Sequence, residues 1–323
     1  MKKFLLLFFL ILFAALSWAL ITQPVGSIPS TTTHELPSVS AEELEKTVVI
    51  LSENATPRSI RHPRRLAEVG AFIEDSLRGF GLEPVRQAYL VGHDEYFNVS
   101  VVIGDKQAPR SVVGAHYDVA GEFPGADDNA SGVAVLLELA RIFAVQPPEH
   151  PIELVAYTLE EPPAFGTKFM GSFVHAKSLA EAGIEVGCAI SLEMLGYFSD
   201  EAGSQRFPLP GLGWLFSNVG NTLVVVGSFG DIGCTRGLKY ALRRADVISI
   251  NSFNAPQFVQ GIGFSDHRSY WAHGFSGVMV TDTAFLRNRH YHTARDTSEK
   301  LNFDQMAAAT QALAWALGKT QLP

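Results

Sequence analysis

Cysteine is nearly absent: Cys188 and Cys234 are the only two among 323 residues. No thiolate framework is available, so any metal site must be built from histidine and carboxylates. Their spacing gives no support to a Cys188–Cys234 disulfide. Cys188 lies in an apolar run, VGCAISL, and reads as a small buried hydrophobe. Basic residues are also in deficit, 25 Lys and Arg against 33 Asp and Glu, for a net charge of -8. That balance excludes binding of nucleic acid through a broad basic face. There is no G-x-S-x-G elbow, so Ser265-Asp266-His267 is not read as a serine-hydrolase centre. No internal repeat and no break in composition divides residues 40–323, which are read as one catalytic domain.

Apolar residues are plentiful, at 47%. At the N-terminus, Lys2 and Lys3 precede an almost unbroken apolar run over residues 4–21. Residues 1–21 therefore read as a signal peptide or a signal anchor. Ser17-Trp18-Ala19 offers a small-x-small cleavage site, while a run of roughly 18 residues also suits retention in a bilayer. Both alternatives place the rest of the chain outside the cytoplasm, in a periplasmic, extracellular or membrane-anchored setting. Residues 22–39, rich in Pro, Ser and Thr, read as a linker.

Periodicity predicts helices over 41–51, 64–80, 131–143, 172–182, 235–245 and 303–317. Strands are expected over 83–90, 96–103, 111–115, 152–158, 188–192, 222–226 and 277–281. The alternation implies a three-layer α/β/α fold with a largely parallel, mixed central sheet flanked by helices. In such sheets the site lies at the carboxyl ends of strands. Three expected strands end at His116, at Glu160-Glu161 and at Glu193, so their polar groups converge on one edge.

Chemistry-bearing residues concentrate in residues 113–131, VGAHYDVAGEFPGADDNAS. His116 closes a strand. Asp118, two residues on, shares its face and can accept the second imidazole N–H of His116. Asp128 suits a carboxylate shared by two metals, with Asp127 as a loop cap or supporting acceptor. Glu160 and Glu161 are adjacent and diverge, so one can reach a bound water as general base while the other holds metal. We assign Glu160 as base and Glu161 as ligand. Glu193 ends a buried strand, where a carboxylate needs a partner or a metal. His290 and His292 are both candidate ligands. Asp296-Thr297-Ser298 with Glu299 reads as a helix start.

In order, HYD, GADDNASG, EE, SLEM, SDH and YHTARDT resemble the co-catalytic di-zinc aminopeptidase family, which has relatives among glutamate carboxypeptidases and glutaminyl cyclases. The resemblance covers most of residues 60–318. It implies a cofactor of two zinc ions, one held by His116 and Glu193, the other by Glu161 and His292, with Asp128 bridging. It implies Glu160 as general base and Asp118 as the residue that orients His116. Two departures stand out. The family commonly has Asp at the position of Glu193, and Pro162-Pro163-Ala164-Phe165 replaces a Gly-Leu turn, with the pattern resuming at Met170-Gly171-Ser172. The expected activity is zinc-dependent removal of N-terminal residues from peptides. The alternatives are a glutaminyl cyclase using one zinc and an inactive binding domain on the same fold.

Overall fold

The computed structural model describes residues 2–25, 35–208 and 211–323. Half of the expected linker, residues 26–34, lies outside the described residues. The described ends of that linker are not free. Thr22 and Pro24 are buried, and Leu36 and Val39 pack against the main core.

Helix α1 (Lys2–Thr22) covers the apolar N-terminal run. Helix α2 (Ala41–Val49) starts where Ser40 accepts a hydrogen bond from the Glu43 amide, an N-cap. Helix α3 (Pro63–Gly79) begins with proline, which needs no donor there. It buries Leu66, Val69, Ile73 and Leu77 along one face. A Cβ at Gly70 would sit 2.4 Å from the Phe97 ring, so only glycine lets this helix approach the sheet.

Strands β1 (Val85–Val91) and β2 (Asp94–Ile103) form an antiparallel hairpin. β3 (Arg110–His116) leads through the acidic loop into helix α4 (Gly132–Val145). β4 (Ile152–Tyr157), helix α5 (Gly171–Glu181) and β5 (Val186–Glu193) follow. β6 (Thr222–Ser228), helix α6 (Ile232–Arg244) and β7 (Ser249–Ala255) come next. The short helix α7 (His267–Trp271), β8 (Gly277–Thr281) and helix α8 (Phe303–Lys319) complete the order.

The eight strands among the described residues join one mixed sheet in the order β1-β2-β4-β3-β5-β8-β6-β7. Its centre, β4, β3, β5 and β8, is parallel, and β6 turns antiparallel to β8. One face is covered by α2, α3, α4, α6 and α8 in a single large core. The other carries α5 and α7 over β3–β5, while over β6–β8 the loop residues Val259 and Ile262 pack together with Trp271 of α7. The expected three-layer architecture is therefore present.

α4 buries Val133, Leu136, Leu137 and Ala140 along one face, and Val135 and Leu139 are buried too, because α2 and α8 close over its outer side. Two local expectations change. β7 was not expected: its sequence, SINSFNA, is half polar, and it lies at the sheet edge where apolar alternation is not required. Cys188 and Cys234 form a disulfide that ties β5 to α6, so Cys188 is buried but not free. Spacing could not show this, since the fold creates the proximity across 46 residues.

A buried polar chain crosses the α5 face of the sheet. Glu153 accepts from Arg110 Nε at 2.8 Å and contacts His175 Nε2 at 3.1 Å. Burial pushes the Glu153 carboxyl up, but His175 and Arg110 outweigh it and hold the group below its ordinary value. A depressed carboxylate stabilises the fold above its unfolded value near 4.5 and loses that contribution as pH falls through its folded value. Glu153→Gln leaves Arg110 buried without a counter-charge and should cost about 3 kcal/mol. Urea denaturation near neutral pH checks the cost, and the same series below about pH 4.5 should show the gap to wild type narrowing.

Candidate metal centre

The carboxyl ends of β3, β4 and β5 lie side by side because these strands are neighbours and parallel. His116 is the last residue of β3 and Glu193 the last of β5. β4 ends three residues before Glu160. Leu159, Met194 and His292 adopt positive φ, at 59°, 50° and 54°. Non-glycine residues held there cost about 1–3 kcal/mol each, and such strain collects at functional sites. Each of these residues is, or directly adjoins, a candidate site residue.

Two three-residue groups result: His116, Asp128 and Glu193, and Asp128, Glu161 and His292. In the first, His116 Nε2 lies 3.4 Å from Asp128 Oδ1 and 3.4 Å from Glu193 Oε2. In the second, His292 Nε2 lies 3.0 Å from Asp128 Oδ2 and 3.2 Å from Glu161 Oε1. Asp128 thus presents one oxygen to each group. Four ligands at about 2.0–2.1 Å around a tetrahedral ion stand roughly 3.3 Å apart, so these spacings suit such an ion. His116 Nε2, Glu161 Oε1 and His292 Nε2 are buried without a hydrogen-bond partner, which cations between them would cure. The longer Glu193 side chain still reaches the first group. His290 joins neither; its ring lies against Tyr197.

Glu160 Oε2 approaches to 3.9 Å from His116 Nε2. Its carboxyl is pushed well above the usual range by burial and by the charges of Glu161 and Glu193. Burial and Asp128 likewise push the Glu161 carboxyl up to about 8. At Asp128 burial acts upward, but the facing imidazoles of His116 and His292 hold the carboxyl below its ordinary value. This much buried negative charge favours a divalent cation.

Backbone and side-chain contacts fix the geometry. His116 Nδ1 meets the Asp118 carbonyl oxygen at 3.2 Å and its carboxylate at 3.5 Å, which leaves Nε2 facing Asp128. The Asp118 carboxylate also accepts the amides of Glu160 and Glu161, both at 3.0 Å. Asp118 therefore orients two strand ends at once. Asp127 accepts from the Gly196 amide and from Asn288, away from both groups. Ser265 donates to Glu193 Oε2, and His267 Nε2 donates to the Ile262 carbonyl, so Ser265-Asp266-His267 makes no triad.

Several supporting residues were not found in the sequence. Asp296 begins no long helix; its carboxylate accepts the amides of Asp127 and Asp128. Asn129 bridges the loop to β5, donating to the Leu192 carbonyl and accepting the Met194 amide. Arg58 is fully buried and donates to the carbonyls of Leu51, Pro124 and Gly125. Nothing in its local sequence distinguishes it from the other arginines nearby. An apolar pocket adjoins the centre, running from Glu193 and Tyr291 across the loop-covered face, with Phe264 and Phe285 in its wall. The space inside is about 140 Å³. Tyr270, in contrast, sits in the core beside Tyr157.

Arg58→Met removes the clamp on the loop before Asp127. Three carbonyls lose their donor at about 1 kcal/mol or more each. The variant should unfold at least about 3 kcal/mol more easily, measured by denaturant titration of metal-stripped protein.

The chain is 40% identical over 316 residues to the uncharacterized protein YfbL of Escherichia coli K12, covering 95% of this chain and 96% of the relative. It is 26% identical over 245 residues to leucine aminopeptidase 1 of Uncinocarpus reesii, covering 70% of this chain and 56% of that protein's length. The fold matches the crystal structure of Fimbriiglobus ruber glutaminyl cyclase with a TM-score of 0.68 at 20% identity, over 90% of this chain and 99% of that one. Residues 98–317 match peptidase family M28, a span that holds both three-residue groups and Glu160. With that match and similarity to a relative over nearly its whole length, the chain belongs to peptidase family M28.

Proposed function

We propose that this protein is an exported metallo-aminopeptidase that uses two zinc ions to remove N-terminal residues from peptides. One observation carries the reading: two three-donor groups share Asp128 through separate oxygens, with the Glu160 carboxylate beside them. His116, Asp128 and Glu193 would hold one ion, and Asp128, Glu161 and His292 the other. Imidazole with carboxylate is a donor set that zinc accepts. Bound there, zinc supplies Lewis acidity to the scissile carbonyl and lowers the pKa of a water.

The chain's own residues do the rest. Glu160 takes a proton from the attacking water and returns it to the leaving amine. Asp118 holds the Glu160 amide and the His116 ring in register. The apolar pocket next to Glu193 and Tyr291 receives an uncharged side chain of the substrate. The relative named as a leucine aminopeptidase supports the exopeptidase reading, and the likeness to a glutaminyl cyclase is one of fold. Export is supported by the disulfide and by the apolar helix α1. Residues 40–323 form the catalytic domain in this reading.

Glu160→Gln should keep its metal content and lose turnover by about 10²–10⁴-fold. Metal analysis beside a panel of amino-acid arylamides checks this, and near-normal turnover would remove Glu160 from the base role. With glutamine-initiated peptides the wild type should release free glutamine; a pyroglutamyl product would select the cyclase instead.

A further inference from the structure

The last turn of α1 is part of the folded domain. Trp18 Nε1 donates to the Asn254 carbonyl at 2.8 Å, and its ring meets Phe253 edge-on at 5.6 Å between centroids. The Ser252 amide donates to the Pro24 carbonyl at 3.0 Å, and Gln23 is engaged by Lys239 and Tyr240. Residues before this turn are different. Phe4, Leu5, Leu6, Leu10 and Phe13 are all exposed. The sixteen helical residues before Trp18 rise about 24 Å, short of a bilayer core of about 30 Å by an amount that local thinning accommodates. The small-x-small triplet at Ser17-Trp18-Ala19 is helical, and its tryptophan is packed. A leader peptidase needs that bond extended and accessible.

Strand polarity then fixes which side of the domain faces the membrane. The metal centre lies at the carboxyl ends of β3, β4, β5 and β8. β6 runs antiparallel to β8, and β7 runs parallel to β6, so the carboxyl ends of β6 and β7 lie at the opposite edge. Pro24 meets Ser252 and Trp18 meets Asn254. Following the chain back from Pro24 to Trp18 therefore moves along β7 away from the metal centre. At that far edge Ser228 pairs with Ala255, and the loops that follow carry Phe229 and Phe258, 47% and 88% exposed. Aromatic residues favour the membrane–water interface.

We propose that α1 is retained as an anchor and that the far edge of the sheet, with Trp18, Phe229 and Phe258, rests on the lipid surface. The catalytic edge then points away from the bilayer. The metal centre then draws peptides from solution. The proposal rests on the exported placement given above and not on the metal chemistry.

The full chain expressed in Escherichia coli tests it in two ways. Intact-mass measurement of the membrane fraction should find residues 1–21 present; a chain beginning after Ala19 would overturn the proposal. Benzoylphenylalanine placed at position 258 should crosslink lipid on irradiation, and the same probe at exposed Glu122, in the loop after β3, should not. Equal lipid adducts at both positions, or adducts only at 122, would overturn the orientation. Cytosolic protein with reduced Cys188 and Cys234 would overturn export itself, and the proposal with it.

Discussion

The constraint on which this structure depends is the burial of many carboxylates in one small volume. Asp118, Asp127, Asp128, Glu160, Glu161, Glu193, Asp266, Asp282 and Asp296 are all largely shielded from water near the ends of the central strands. Like charges in a medium of low dielectric repel strongly, and each needs a donor or a cation. Backbone amides satisfy Asp118, Asp127, Asp282 and Asp296. Arg58 and Arg287 bring permanent positive charge beneath them. Asp128, Glu160, Glu161, Glu193 and Asp266 remain, with two imidazoles among them. In the proposed reading, zinc offsets that remainder.

The same constraint explains local features that look costly in isolation. The loop of residues 124–131 has no regular ladder, so side chains from distant segments supply its hydrogen bonds. Asn129, Ser131 and Asp296 each span between elements far apart in sequence. The positive φ values at Leu159, Met194 and His292 turn the chain sharply where residues of the centre must face inward. The large core on the α4 side anchors the strands whose ends must stay in register. The opposite face over β6–β8 carries loops and only Trp271 from α7, which makes room for the apolar pocket.

Much of this was legible in the sequence because it follows from local pattern. Alternating apolar runs marked seven of the eight strands, and the residue types at their ends marked the site. The structure brings all five expected ligands, His116, Asp128, Glu161, Glu193 and His292, into two groups and leaves His290 outside. What was not legible depends on tertiary proximity. Arg58 acts on carbonyls 66 and 67 residues away, and Asp296 on amides 168 and 169 residues away. The β7 edge strand lacks apolar alternation, and the disulfide exists only because α6 folds over β5. Asp118 was expected to serve one histidine; its second task, on the Glu160 and Glu161 amides, needed the β3–β4 register.

The central claim is that one carboxylate serves two ions. Native mass spectrometry with zinc titration, on wild type and on Asp128→Asn, tests it most directly. The account predicts two ions per wild-type chain and loss of tight binding at both sites together in the variant. A variant that keeps one ion at wild-type affinity would contradict a shared Asp128.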